Sequence, residues 1–316
     1  MLFRSEGWFD EIAPALKPLQ KARERAPDHP RPLAQLAVAR ARQVYLDPTN
    51  HRQHRTAAVD LARRSIDLAS DRWAEPRYAL AMAHFFGNRY DRAVATLQAT
   101  LARDEDFAEA HELYGRILLE IGPLGRAIEH LERTIELNPY LYRARWDLVR
   151  GYGLRGDWKA AAELASRPVD SAQHRTARAM VAVRLSLWNR EPILGHIWQD
   201  ERESLEAAPG LRHLVAVLDG APFDRPSRQR LVESARDHSE QSRRAALFYQ
   251  AGAELAAYTD RQSLVYDFLD RAIDAGLADV VWMRRCPLFD SLRRQPDFTR
   301  RLQRVVDRVA VLQDIH

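Results

Sequence analysis

The chain has 316 residues, and its 48 basic and 44 acidic side chains leave a formal net charge of +4. Hydrophobic residues make up 46%, enough for a packed core, which argues against wholesale disorder. At ~150 residues per domain the length allows two domains or one long repeat array, and the small basic excess excludes a nucleic-acid-binding tail.

The first apolar segment, Trp8 to Arg25, reads as the second helix of a truncated hairpin. Pro14 and Pro18 lie inside it and predict a kink or break. Arg31 to Leu46 reads as a helix with Leu36 and Ala37 facing a neighbour. Thr56 to Leu68 reads as its partner, with Ala58 and Ala62 small. Between them, the polar stretch from Asp47 to His54 predicts a loop longer than a normal turn. Three segments then align without gaps at a spacing of 34, starting at Ala74, Ala108 and Tyr142. Small residues share one column (Ala81, Gly115, Val149) and another (Ala93, Ala127, Ala161). Large residues share two more (Leu80, Tyr114, Leu148 and Leu97, Leu131, with Ala165 weaker). Such columns let two antiparallel helices approach closely while bulky neighbours fill the groove beside them.

After Pro168 the period fades. Thr176 to Trp188 and Glu191 to Leu205 read as a degenerate pair, and Leu211 to Leu218 as a short helix. The stretch from Asp219 through Pro226 reads as a boundary. Ser239 to Tyr258 and Arg261 to Ala275 read as another hairpin, closed by Gly276 as a helix-terminating glycine. Asp279 to Asp314 reads as short closing helices. The expected organisation is a repeat array over 1–168, a degenerate repeat and connector over 169–226, and a C-terminal hairpin and cap over 227–316.

The three aligned segments resemble the tetratricopeptide repeat. The resemblance is carried best by Tyr114, Gly115, Leu118, Gly122, Ala127, Leu131 and Pro139, with Thr134 standing where that family usually has alanine. It implies an all-α fold, a right-handed superhelix of helical hairpins with a helical C-terminal cap. The tail is similar to the end of tetratricopeptide regions in bacterial signalling proteins, through Gly276, Trp282, Cys286, Pro287, Leu288, Leu292, Arg293, Pro296, Asp297 and Phe298. Those regions accompany kinase, cyclase or winged-helix activator domains, none of which has a counterpart here.

Chemical motifs are sparse. Gly151, Gly153 and Gly156 spell GxGxxG, but a helix precedes them where a phosphate-binding fingerprint needs a strand. His51 and His54 sit among arginines and fall short of the ligands zinc requires. The single cysteine, Cys286, excludes a disulfide framework and a cysteine-ligated zinc site. Packing is its favoured role over a reactive thiol. No catalytic residue, cofactor site or metal site is expected. An enzyme site in the irregular middle would have to gather His174, His196, Asp200, Glu201 and His213. From Arg284 to Arg308 there are eight arginines and three aspartates, read as a solvated amphipathic face rather than as a binding patch.

In tetratricopeptide arrays the first helix of each pair lines a groove. Here that face implies Tyr78, Phe85, Phe86, Glu112, Arg116, Arg143, Trp146 and Arg150 as partner-binding residues, with Glu120 beside them. Tyr78 and Trp146 would be anchors; Arg116 and Arg150 would pair with acidic groups. Packing inside the array is an equal reading for Phe85 and Phe86. The expected function is a non-catalytic scaffold for a protein or peptide partner, with a detached regulatory component of a bacterial signalling system as the alternative. Self-association through Leu2, Phe3, Trp8 and Phe9 is a further expectation. No secretory signal or run of ~18 apolar residues is visible, so a cytoplasmic protein without a membrane span is expected. Only Lys17, Lys21 and Lys159 are lysine, an arginine bias that reads as a high-GC bacterial genome.

Overall fold

The computed structural model describes residues 13–47, 49–69, 73–169, 172–191, 194–207, 211–236 and 243–310. All regular structure among them is helical. The expected residues Leu2, Phe3, Trp8 and Phe9 lie outside the described residues. The chain divides into two compact units, Met1–Ile117 with Glu129–Leu141, and Leu118–Ile128 with Tyr142–His316. The division passes through two repeat helices.

The first unit opens with α1 (Ala13–Arg25), α2 (Pro30–Leu46) and α3 (His51–Ala69). Helix α1 continues through Pro18 without a break. At the sixth position of a helix only one backbone bond is lost to proline, which explains why the expected break is absent. The expected long loop after α2 is also corrected. Helix α3 begins at His51, so His51–Arg55 extend it by more than a turn. The turn is held by Asp47, whose carboxylate accepts from Asn50 N–H at 3.3 Å and lies 3.0 Å from His54 Nε2. These bonds, led by the Asn50 side chain, lower the Asp47 pKa to about 2. Ala34, Ala37, Ala62 and Ala79 form a shared core of small side chains, with Val38, Leu61 and Leu80 packed around it.

Helices α4 (Glu75–Phe86) and α5 (Tyr90–Leu101) form the first regular hairpin, α6 (Ala108–Ile121) and α7 (Leu124–Leu137) the second, α8 (Tyr142–Arg155) and α9 (Trp158–Ala165) the third. The columns read from the sequence are the packing columns. Ala81, Ala93, Ala127, Val149 and Ala161 are all fully buried. Thr134 is also buried, and its hydroxyl donates to the His130 carbonyl at 2.9 Å, so a polar atom replaces alanine without an unmet bond. Gly151 and Gly153 lie within α8, as the helix reading requires. A Cβ on Gly153 would stand 3.1 Å from Leu185 Cδ2, so that glycine serves close helix packing.

The second unit continues with α10 (Ala172–Asn189), α11 (Gly195–Asp200), α12 (Arg202–Ala207), α13 (Leu211–Leu218) and α14 (Arg225–Arg236). One expectation is corrected: the helix expected over Glu191–Leu205 is two short ones meeting at Glu201. The stretch expected over Asp219–Pro226 joins α13 to α14 as far as Asp224, and its last two residues open α14: Pro226 stands in the first turn, where its missing N–H costs nothing. Asp224 accepts from Ser227 N–H at 2.9 Å at that helix start. Helices α15 (Arg243–Tyr258) and α16 (Gln262–Asp274) form the expected hairpin, followed by α17 (Val280–Arg285), a 3-10 turn at Pro287–Phe289 and α18 (Pro296–Val309). Gly276 has φ +101°, and Leu277 N–H reaches back to Ala272 C=O at 2.8 Å, a Schellman ending. Trp282, Cys286, Phe289 and Phe298 are fully buried and build the core of the C-terminal cap.

Candidate functional site: the first-helix faces

The eight expected partner-binding residues are divided between the units. In the first, Tyr78 and Phe86 are half-buried on α4, whereas Phe85 is 1% exposed. Phe85 packs edge-on against Phe86 and Tyr90, and the Arg116 guanidinium lies 5.7 Å from its ring centroid. Tyr78 meets Phe107 edge-on at 5.6 Å. Glu112 and Arg116 on α6 are buried at 1% and 7% exposure. Glu109, one turn before Glu112, is half-buried. Burial raises its pKa, with Glu112, Glu75 and Asp104 adding negative charge nearby. Carboxylates thus crowd around Glu109.

In the second unit, Arg143 is half-buried at the start of α8, and Trp146 is buried at 2% exposure with the Arg145 guanidinium 5.7 Å from its ring. Arg150 donates to Asp279 Oδ2 at 2.5 Å, and Gln250 Nε2 donates to the same oxygen at 3.0 Å. Glu120 accepts two bonds from Arg243 Nη2, at 2.5 and 2.7 Å. Arg184 on α10 grips Glu254 with two bonds, at 3.0 and 2.5 Å, and Trp282 Nε1 donates to Glu254 at 2.8 Å. Arg150 and Glu120 are therefore engaged by partners from the chain's own C-terminal part, Asp279 and Arg243. Burial raises the Asp279 pKa, and Arg150 opposes that rise. Sequence reasoning missed Gln250, Glu254 and Asp279. Their signal was two polar residues one turn apart inside an otherwise alanine-rich helix.

The other chemical candidates are placed as follows. His213 is buried, and desolvation lowers its pKa; His196 and Asp200 are exposed; Glu201 pairs with Arg175 at 2.9 Å; His174 stacks on Tyr142 at 4.2 Å. Among the described residues no three His, Cys, Asp or Glu side chains gather as a metal-holding group. Cys286 is fully buried, and desolvation with the Glu254 charge pushes its thiol well above the ordinary range. In the C-terminal segment, Arg301 and Arg304 bind Asp270 at 2.6 and 3.2 Å, and Arg308 donates to the carbonyls of Ile273 and Leu277. No helix among the described residues is long and apolar enough to cross a membrane.

A family model described as tetratricopeptide repeat matches residues 78–142, from the first turn of α4 to the start of α8. Over those residues the chain carries tetratricopeptide repeats. Lipopolysaccharide assembly protein B of Escherichia coli K12 is 27% identical over 130 residues, which is 40% of this chain and 33% of that protein. The same-named protein of the O157:H7 strain matches to the same extent. The chain spans about a third of the length of these relatives. Among solved structures, the tetratricopeptide domain of P58(IPK) aligns over 96% of this chain and 95% of that one, at 11% identity and a TM-score of 0.32. A tetratricopeptide array is a scaffold for protein partners: each hairpin presents its first helix on a surface formed by several repeats.

Proposed function

We propose that the protein is a non-catalytic scaffold that holds a segment of a partner protein against the first-helix face of its first unit. The observations behind this reading are two half-exposed aromatic rings on α4, Tyr78 and Phe86, and, in the same unit, the crowding of Glu112, Glu75 and Asp104 around Glu109. Aromatic side chains supply contact area at little conformational cost, and like charges crowded together attract a cation. The matching segment therefore carries an apolar side chain beside a lysine or arginine. Arg116 acts from beneath, its guanidinium against the Phe85 ring. Arg150 and Trp146 of the second unit serve packing and an internal ion pair in this account.

The test is capture from the native host by wild type, by a Tyr78→Ala, Phe86→Ala, Glu109→Gln variant and by an Arg284→Glu, Arg285→Glu variant. A protein retained by wild type and by the arginine variant but lost with the first variant supports the face. A protein retained equally by all three contradicts it.

A further inference from the structure

The second unit contains a cleft of about 520 Å³ where the C-terminal ends of α8, α10 and α17 meet the turn before α9. Five of its lining residues are arginines, and two are tryptophans, Trp158 and Trp188. Three arginines are already engaged. Arg155 pairs with Asp157 at 3.0 Å, Arg190 with Asp260 at 3.1 Å, and Arg293 with Asp290. Arg284 and Arg285 are exposed, and neither forms an ion pair among the described residues. They carry the surplus charge. Cations at a helix C-terminus do complement the helix dipole. That effect accounts for the sign of the charge at the end of α17. It does not account for a concave wall of tryptophan beside it, nor for Trp188, which is 2% exposed with its indole N–H lacking an acceptor.

We infer that this cleft binds a carboxylate-bearing peptide segment, with Arg284 and Arg285 pairing with its acidic side chains. The site is built from residues of the second unit alone and does not depend on the aromatic face of the first. Guanidinium forks match carboxylates bidentately, and their planes tolerate aromatic surroundings. Recognition of a phosphate by backbone N–H groups is disfavoured here. The one helix N-terminus at the cleft, that of α9, is capped by Asp157, whose carboxylate accepts from Ala160 N–H at 3.1 Å. The volume also suits several residues of a peptide rather than a lone inorganic anion. An apolar side chain next to the carboxylates would lie against the Trp158 ring, which is half-buried.

The experiment is fluorescence anisotropy of a labelled synthetic peptide made of glutamates around one leucine, titrated with the full chain at low salt. Four proteins are compared: wild type, Arg284→Glu with Arg285→Glu, the same pair changed to lysine, and Arg300→Glu. Arg300 lies outside the cleft, so its reversal lowers the net charge and gives up the Asp297 ion pair without changing the cleft lining. Circular dichroism confirms that each variant is folded, as expected for exposed side chains. The inference expects saturable binding to wild type, a loss of at least about tenfold with the glutamate pair, an intermediate loss with the lysine pair and little change with Arg300→Glu. Absence of saturable binding to wild type overturns it, as does an equal loss with Arg300→Glu. Competition by millimolar inorganic phosphate that abolishes binding at constant ionic strength would make this a simple anion site and overturn the peptide assignment.

Discussion

Single residues in this chain show how similar a packed aromatic and an exposed one look in sequence. Phe85 and Phe86 are adjacent on α4, one helical step of about 100° apart. One is sealed against Tyr90 and Arg116; the other remains half-exposed. A first helix stacked between neighbours buries more than one stripe, so its periodicity does not separate a groove residue from a core residue. The same ambiguity made Trp146 resemble an anchor. Small residues were read more securely, because a column of them has one cause. Gly252 tests that cause: a Cβ there would lie 2.5 Å from the Phe268 ring. Gly252→Ala is expected to cost about 1–3 kcal/mol in urea unfolding despite alanine's better helix propensity, and a gain in stability would contradict the packing.

His84 supplies a prediction in pH. Burial, aided by the charges of Arg92 and Arg63, lowers its pKa from 6.5 to about 4. The folded chain therefore keeps it neutral while the unfolded chain takes up a proton below pH 6.5. Its stability contribution is whole above that value and is lost as pH falls toward 4. From pH 7 to pH 5 wild type should lose roughly 2 kcal/mol more than a His84→Gln variant. Parallel pH profiles for the two proteins would remove His84 from the account.

At the scale of helices, the regular hairpins were legible because their spacing is 34 and their turns are short. The errors were at helix starts. The start of α3 was hidden by a polar run that is helical once Asp47 clasps Asn50 and His54. That of α14 was hidden by Pro226, which opens a helix as readily as it ends one. The links among α8, α10, α15 and α17 were not legible, since they join residues distant in sequence. Glu254 is fully buried between Arg184 and Trp282. Glu254→Leu alone should cost about 3–5 kcal/mol by leaving Arg184 buried without its partner, and adding Arg184→Met should recover most of that. If the double variant is no more stable than the single, the pair is not the unit of stability.

For the whole molecule, the sequence announced a scaffold and its repeat, while the division of labour along it emerged only from the side-chain partners. In the second unit the first-helix charges are spent internally, on Asp279, Arg243 and Glu254. The first unit keeps half-exposed aromatics on α4 and crowded carboxylates around Glu109. A partner segment is therefore proposed for the first unit. The most direct measurement places a photo-crosslinking residue at Tyr78 and, in a second protein, at Lys159, which is exposed on the second helix of a later hairpin. Irradiation in the native host should join a discrete partner to position 78 and none to position 159. A partner joined at 159 and absent at 78 would contradict the assignment of the first-helix face.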